Sequence, residues 1–122
     1  MPAAIRALRG ATTISEDTPE HIDERVLALF EALFDHNDLH HDDLISVILT
    51  ATPDIHSQFP ATSARKFGLG DVPLLCAREI AVPGALPQVI RVMVHCDTDR
   101  PRSELHHVYL GAARSLRDDL PE

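Results

Sequence analysis

Val72-Pro73-Leu74-Leu75-Cys76-Ala77-Arg78-Glu79 and Ile90-Arg91-Val92-Met93-Val94-His95-Cys96 each read as a strand. The first is a short apolar run that delivers a thiol and, three residues later, a carboxylate. The second carries one arginine inside an apolar run. A cation in the middle of such a strand has to meet an anion, because an unpaired buried charge is very costly. That anion is either one of the protein's own carboxylates or a ligand, and the rest of the chain bears on the choice.

Outward from these strands, the chain reads as one α/β domain over residues 1–122. Ala4 to Ala11 is a first strand, with Ile5, Ala7 and Arg9 on one face by the two-residue period. Spacing alone favours a salt bridge for Arg9 at the strand end. Gly10 allows close approach of another element or an unusual backbone angle. Thr18-Pro19 starts a helix as N-cap and first helical residue. Ile22, Val26, Leu29, Phe30, Leu33 and Phe34 follow at offsets of 4, 7, 8, 11 and 12, one apolar stripe ending at Asn37 as a left-handed stop. Leu44-Ile45-Ser46-Val47-Ile48-Leu49-Thr50 suits a strand covered on both faces. Phe59-Pro60-Ala61 opens a short helix containing Arg65 and Lys66. His107 to Leu110 is a last short strand, and Ala112 to Leu116 a turn or two of helix. One long packing helix cannot cover both faces of the mixed sheet, so a closed homo-oligomer is expected.

Composition narrows the function. The formal charge of −8 argues against nucleic acid, whose phosphates would be repelled. An anionic ligand must therefore be captured by local positive charge. No apolar run approaches the roughly 20 residues that cross a membrane, and the N-terminus has no secretory h-region. With two cysteines, Cys76 and Cys96, suited to reduced thiols, this indicates a cytoplasmic protein. Ten of the eleven cations are arginine, through coding bias or because some grip carboxylates in a two-pronged way. His40-His41-Asp42-Asp43 is a solvated loop, since adjacent residues do not point at a common centre.

The polar set that remains is Arg9, Arg65, Cys76, Glu79, Arg91, Tyr109 and Arg117. It contains no nucleophile–base pair, serine elbow, glycine-rich phosphate loop or metal triad. Several arginines with one carboxylate and one phenol suit a polyanion carrying a hydroxyl.

The sequence resembles the small monofunctional chorismate mutases of the AroH class over nearly its whole length. The resemblance rests on Arg9-Gly10-Ala11-Thr12-Thr13, on Ala51-Thr52-Pro53-Asp54-Ile55-His56 with Phe59-Pro60-Ala61, on Val72-Pro73 with Cys76 and Glu79, on Ile90-Arg91-Val92-Met93, and on His107-Val108-Tyr109-Leu110. It implies a trimeric pseudo-barrel with active sites between subunits, no metal or organic cofactor, and conversion of chorismate to prephenate on the way to phenylalanine and tyrosine. It further implies that Arg9 holds a substrate carboxylate and that Glu79 takes the ring hydroxyl, with Cys76 beside it. Arg91 would reach the ether oxygen and a carboxylate, and Tyr109 the side-chain carboxylate. Phe59, Ala61, Leu74 and Leu75 would line the pocket, with Arg65, Leu116 and Arg117 near its mouth. The sequence departs from the family pattern at Thr62, commonly lysine, at Leu75, often threonine, and in 66–71, one residue short. Two other classes compete: a RidA-like trimeric imine deaminase, whose C-terminal motif is missing here, and a non-catalytic metabolite-binding module.

Overall fold

The structure is a computed structural model and describes residues 3–116. Its five strands are β1 (Ala4–Thr13), β2 (Leu44–Ala51), β3 (Leu74–Arg78), β4 (Val89–Thr98) and β5 (Val108–Tyr109). They form one mixed sheet in the order β3-β2-β4-β1-β5. β4 runs antiparallel to both β1 and β2, while the outer pairs β2–β3 and β1–β5 are parallel. β3 begins two residues later than the apolar run suggests: Val72 and Pro73 lead into it, and Val72 is buried.

Helix α1 (Pro19–Asn37) covers one face of the sheet. Thr18 caps it, its hydroxyl accepting from the His21 N–H at 3.2 Å. Ile22, Val26, Leu29, Phe30 and Leu33 are at most 1% exposed, as the stripe predicts. Each such side chain contributes about 1.5–3 kcal/mol of burial. They meet Leu8, Val47, Leu49, Val92 and Val94, the inward residues of three strands.

The helix ends differently from expectation. The left-handed residue is Asp38, at φ 48° and ψ 48°, and Asn37 is the last helical residue. Asn37 is 3% exposed. Its Nδ2 donates to the Leu33 and His106 carbonyls, both at 2.9 Å, and its Oδ1 accepts from the His106 N–H at 2.7 Å. The side chain thus ties the end of α1 to the entry of β5, a use no local pattern announces.

A short helix, α2 (Pro60–Ala64), leads into a wider turn over Arg65–Leu69, which breaks at Gly68 with φ 112°. Phe67 in that turn stacks on Phe30 at 5.8 Å and meets Phe34 edge-on at 5.6 Å. Both α2 and its turn therefore close over α1.

On the opposite face the described residues place only the short helix Gly111–Leu116, which covers Ala11 and Val89 at one end and leaves the remainder of the face open. In β2, Val47 and Leu49 on the α1 face are buried and Ile48 on the other face is half-buried, while Ile45 stands exposed at a bulge between Leu44 and Ser46. Ile5, Leu75 and Met93 also stand exposed, at 64%, 62% and 36%. These residues account for the continuous apolar run in β2, since a second apolar face needs a cover that one chain does not supply.

Gly10 performs the close approach its position suggests. A Cβ there would meet Leu29 Cδ1 at 3.0 Å, Val92 Cγ1 at 3.1 Å and Leu33 Cδ1 at 3.2 Å. All three side chains are buried and have little room to yield. Gly10→Val is expected to destabilise the fold by about 1–3 kcal/mol through overpacking, read as a lower urea midpoint with an unchanged slope; a midpoint equal to that of the unsubstituted protein would show that α1 can back away.

Candidate functional site

The open face of the sheet carries a row of polar groups set by strand register. In β4, even-numbered residues point to α1 and odd-numbered ones away, so Arg91 lies on the open face. Arg91 pairs across β4–β2 with Thr50 and across β4–β1 with Ala11, and Ala11 pairs with Tyr109. Arg9, two residues before Ala11, lies on the same face. Directly opposed residues share a face, so Thr50, Arg91, Tyr109 and Arg9 gather by geometry alone. They border a cleft of about 370 Å³, with Ile48 and Met93 among its apolar walls.

Glu79 reaches this row from beyond the end of β3. Its N–H donates to the Ala51 carbonyl at 2.9 Å, which extends the β2–β3 pairing by one residue. Its carboxylate then accepts from Arg91 Nε at 3.2 Å (Oε1) and 3.1 Å (Oε2), and from the Thr50 hydroxyl at 2.6 Å. Arg91 is therefore paired with an internal carboxylate, but only through Nε. Its terminal nitrogens make no hydrogen bond among the described residues, and the cleft opens beside them. The Arg91 side chain is 44% exposed and that of Glu79 18%. The Arg9 guanidinium likewise has no ion pair among the described residues. Its backbone N–H donates to His107 Nδ1 at 2.9 Å. Two guanidinium groups against one carboxylate leave this face locally cationic within an acidic protein.

The other predicted contacts lie elsewhere in the chain. Phe59, which is 72% exposed, and Cys76 border a second cleft of about 220 Å³ beside Ala51, Pro60 and Arg78. Ala61 is buried at 7% and Leu74 packs against the core, and neither borders either of these two clefts. Leu75 projects from the open face opposite Ile48. Arg65 is exposed and donates to the Thr62 hydroxyl at 3.4 Å. Leu116 packs on Ala11, Val89 and Ala113, and Arg117 lies outside the described residues. One chain thus brings together Arg9, Glu79, Arg91 and Tyr109, and holds Phe59 and Cys76 apart from them.

Sequence reasoning did not find Thr50, although the two-residue period places it beside Ile48 on the open face. The Ala51-Thr52-Pro53-Asp54 piece proves structural. Thr52 Oγ1 accepts from the Val89 N–H at 3.0 Å and donates to Asp54 Oδ1 at 2.5 Å. Asp54 in turn accepts from the N–H of Gln88, at 3.2 Å and 2.9 Å, where φ is 53°. This clamp fixes the start of β4 two residues before Arg91. Cys96 is fully buried, and burial, with Asp43 and Asp97 nearby, pushes its thiol up from the ordinary value. It is held as an inert thiol.

Comparison with known proteins bears on the whole chain. The family described as chorismate mutase type I matches residues 5–120. The chain is 46% identical over 117 residues to a chorismate mutase AroH from Thermus thermophilus, covering 95% of this chain and 96% of that protein. It is 41% identical over 117 residues to the chorismate mutase AroH of Bacillus subtilis, covering 95% and 92%. A solved structure of a chorismate mutase from Clostridium thermocellum superimposes with a TM-score of 0.87 at 42% identity, covering 90% of this chain and 98% of that one.

The wall that carries Phe59 depends on Asp23 of α1. Asp23 accepts from Lys66 Nζ at 2.7 Å, from the Ser63 hydroxyl at 2.7 Å and from Gln58 at 2.7 Å. The Lys66 hydrogen bond first, then that of Ser63, holds its carboxyl below the ordinary aspartate value. A depressed carboxyl stabilises the fold above its unfolded value, and the gain is lost as pH falls through the folded one. Asp23→Asn is therefore expected to lower the urea midpoint at pH 7, with the gap to the unsubstituted protein closing only as pH falls below the ordinary aspartate value; a gap that stays constant as pH falls would count against this role of Asp23.

Proposed function

This chain belongs to the chorismate mutase type I family, and we propose that the row Glu79–Thr50–Arg91 with Arg9 and Tyr109 forms the reacting part of its active site. The protein is an isomerase of aromatic amino-acid biosynthesis that converts chorismate to prephenate. The observation that carries the site assignment is the Arg91 guanidinium, engaged by Glu79 through Nε alone and open at its terminal nitrogens beside a cleft.

The reaction needs little from a protein. A carbon–oxygen ether bond breaks while a carbon–carbon bond forms within one molecule. No proton is transferred and no covalent adduct is required. The site must hold the compact reactive conformer and stabilise charge as the ether bond stretches. Arg9 and Tyr109 hold the two carboxylates. Glu79 accepts from the ring hydroxyl and faces the part of the ring that becomes electron-poor. The terminal nitrogens of Arg91 face the ether oxygen, which becomes electron-rich. Cys76 lines the wall and is not a nucleophile.

In this reading the enzyme is a cytoplasmic homotrimer, with each active site drawing on adjacent subunits. Two features support the assembly: the uncovered apolar face with Ile5, Leu75 and Met93, and the separation of Phe59 and Cys76 from the arginine cleft within one chain. Support for the compartment comes from two free thiols and from the described helices, none long and apolar enough to cross a membrane.

A fixed donor aimed at developing negative charge is worth about 3–4 kcal/mol, or roughly a hundred- to a thousandfold in rate. Loss of chorismate absorbance should show Arg91→Ala impaired by at least that factor, mainly in turnover. Arg91→Lys should rescue it poorly, because a point charge cannot reproduce the fork. Glu79→Ala should be badly impaired and Cys76→Ser largely active. Full turnover by a folded Arg91→Ala would remove the central role, and complete loss in Cys76→Ser would restore a covalent route. Light scattering should give three times the 13.5 kDa chain mass; a monomer with full activity would refute shared sites.

A further inference from the structure

We infer that Thr50 is a positioning residue of this active site: its hydroxyl keeps the Glu79 carboxylate from closing onto the terminal nitrogens of Arg91. This rests on the roles proposed above for Glu79 and Arg91.

A free arginine–carboxylate pair favours the two-pronged geometry, with two parallel N–H donors on two oxygens. Here the carboxylate shares one donor, Nε, between Oε1 at 3.2 Å and Oε2 at 3.1 Å. That arrangement is the poorer of the two, so something must hold Glu79 in it. The Thr50 hydroxyl does, donating to Oε2 at 2.6 Å, the length of a charge-assisted bond.

Register makes the restraint rigid. Thr50 lies opposite Arg91 on one side and Ala77 on the other. The Glu79 backbone is fixed to Ala51, the next residue of β2. Both ends of the carboxylate's reach are therefore set by the same interior strand. Thr50 is half-buried and also borders the arginine cleft. Its one proton is committed to Glu79, so it has none to give to a ligand. Its effect on an anion in the cleft is indirect: it leaves the Arg91 terminal nitrogens free and points the remaining lone pairs of Glu79 outward.

Thr50→Val keeps the shape and strand preference and removes only the hydroxyl. Turnover of chorismate by purified Thr50→Val is expected to fall about tenfold, with an unchanged thermal midpoint, and Thr50→Ser to recover to within about threefold. In a Glu79→Ala background the further change Thr50→Val should cost less than about twofold, since the group being positioned is gone. A crystal structure of Thr50→Val should show the carboxylate turned onto a terminal nitrogen of Arg91. Unchanged turnover in Thr50→Val, or an equal loss with and without Glu79, would overturn the inference while leaving the functional reading intact. A wild-type protein inactive on chorismate, or a fully active Glu79→Ala, would overturn both.

Discussion

The antiparallel pairing of β4 with strands on either side constrains everything else in this molecule. From Ile90 to Cys96 each residue of β4 has one neighbour in β1 and another in β2, and the side chains alternate between two unlike surroundings. Val92 and Val94 go to the helix. Arg91 and Met93 go to the face that α1 leaves open. A slip of one residue would put the guanidinium into the apolar core and valines onto the cleft. The clamp of Thr52 and Asp54 on Val89 and Gln88 fixes the register where the strand begins. Folding and chemistry therefore rest on the same hydrogen bonds.

Much of this was legible in the chain because it follows from short periods. The stripe from Ile22 to Phe34 identified α1, and alternation put Arg9 with Ile5 and Ala7. Quoted motifs identified the family with which the comparisons agree, and the imine-deaminase alternative gains nothing from a family match over 5–120. Less legible were features that depend on long-range pairing. Thr50 and Glu79 are 29 positions apart, and no local pattern relates them. The displacement of the left-handed turn to Asp38 follows from Asn37 being drawn inward by His106, a residue 69 positions away. The apolar run in β2 suggested two covered faces; one chain covers one.

The open sheet face carries two opposed demands. Exposed Ile5, Leu75 and Met93 call for an apolar cover, while Arg9 and Arg91 on the same face need water or an anion. A cover must therefore seal around the cations and leave the cleft between them accessible. Separation of Phe59 and Cys76 from this cleft follows the same division, since their wall is built by the segment 51–60 leading into α2 and by the edge strand. In a chain of acidic balance the local cationic row attracts a dianion, as does the neighbouring cleft that Arg6, Arg9 and Arg102 border.

Asn37 also bears on what chemical ageing would do to the protein. Hydrolysis of its amide to a carboxylate would change the outline of the side chain hardly at all. It would nevertheless replace two N–H donors by lone pairs facing the Leu33 and His106 carbonyls. Oxygen would then oppose oxygen at a site 3% exposed, where water cannot intervene. The segment entering the strand that carries Tyr109 would keep only the His106 N–H bond to Oδ1 as its tie to this side chain, so the loss of a single nitrogen would loosen it without any change in the sheet itself.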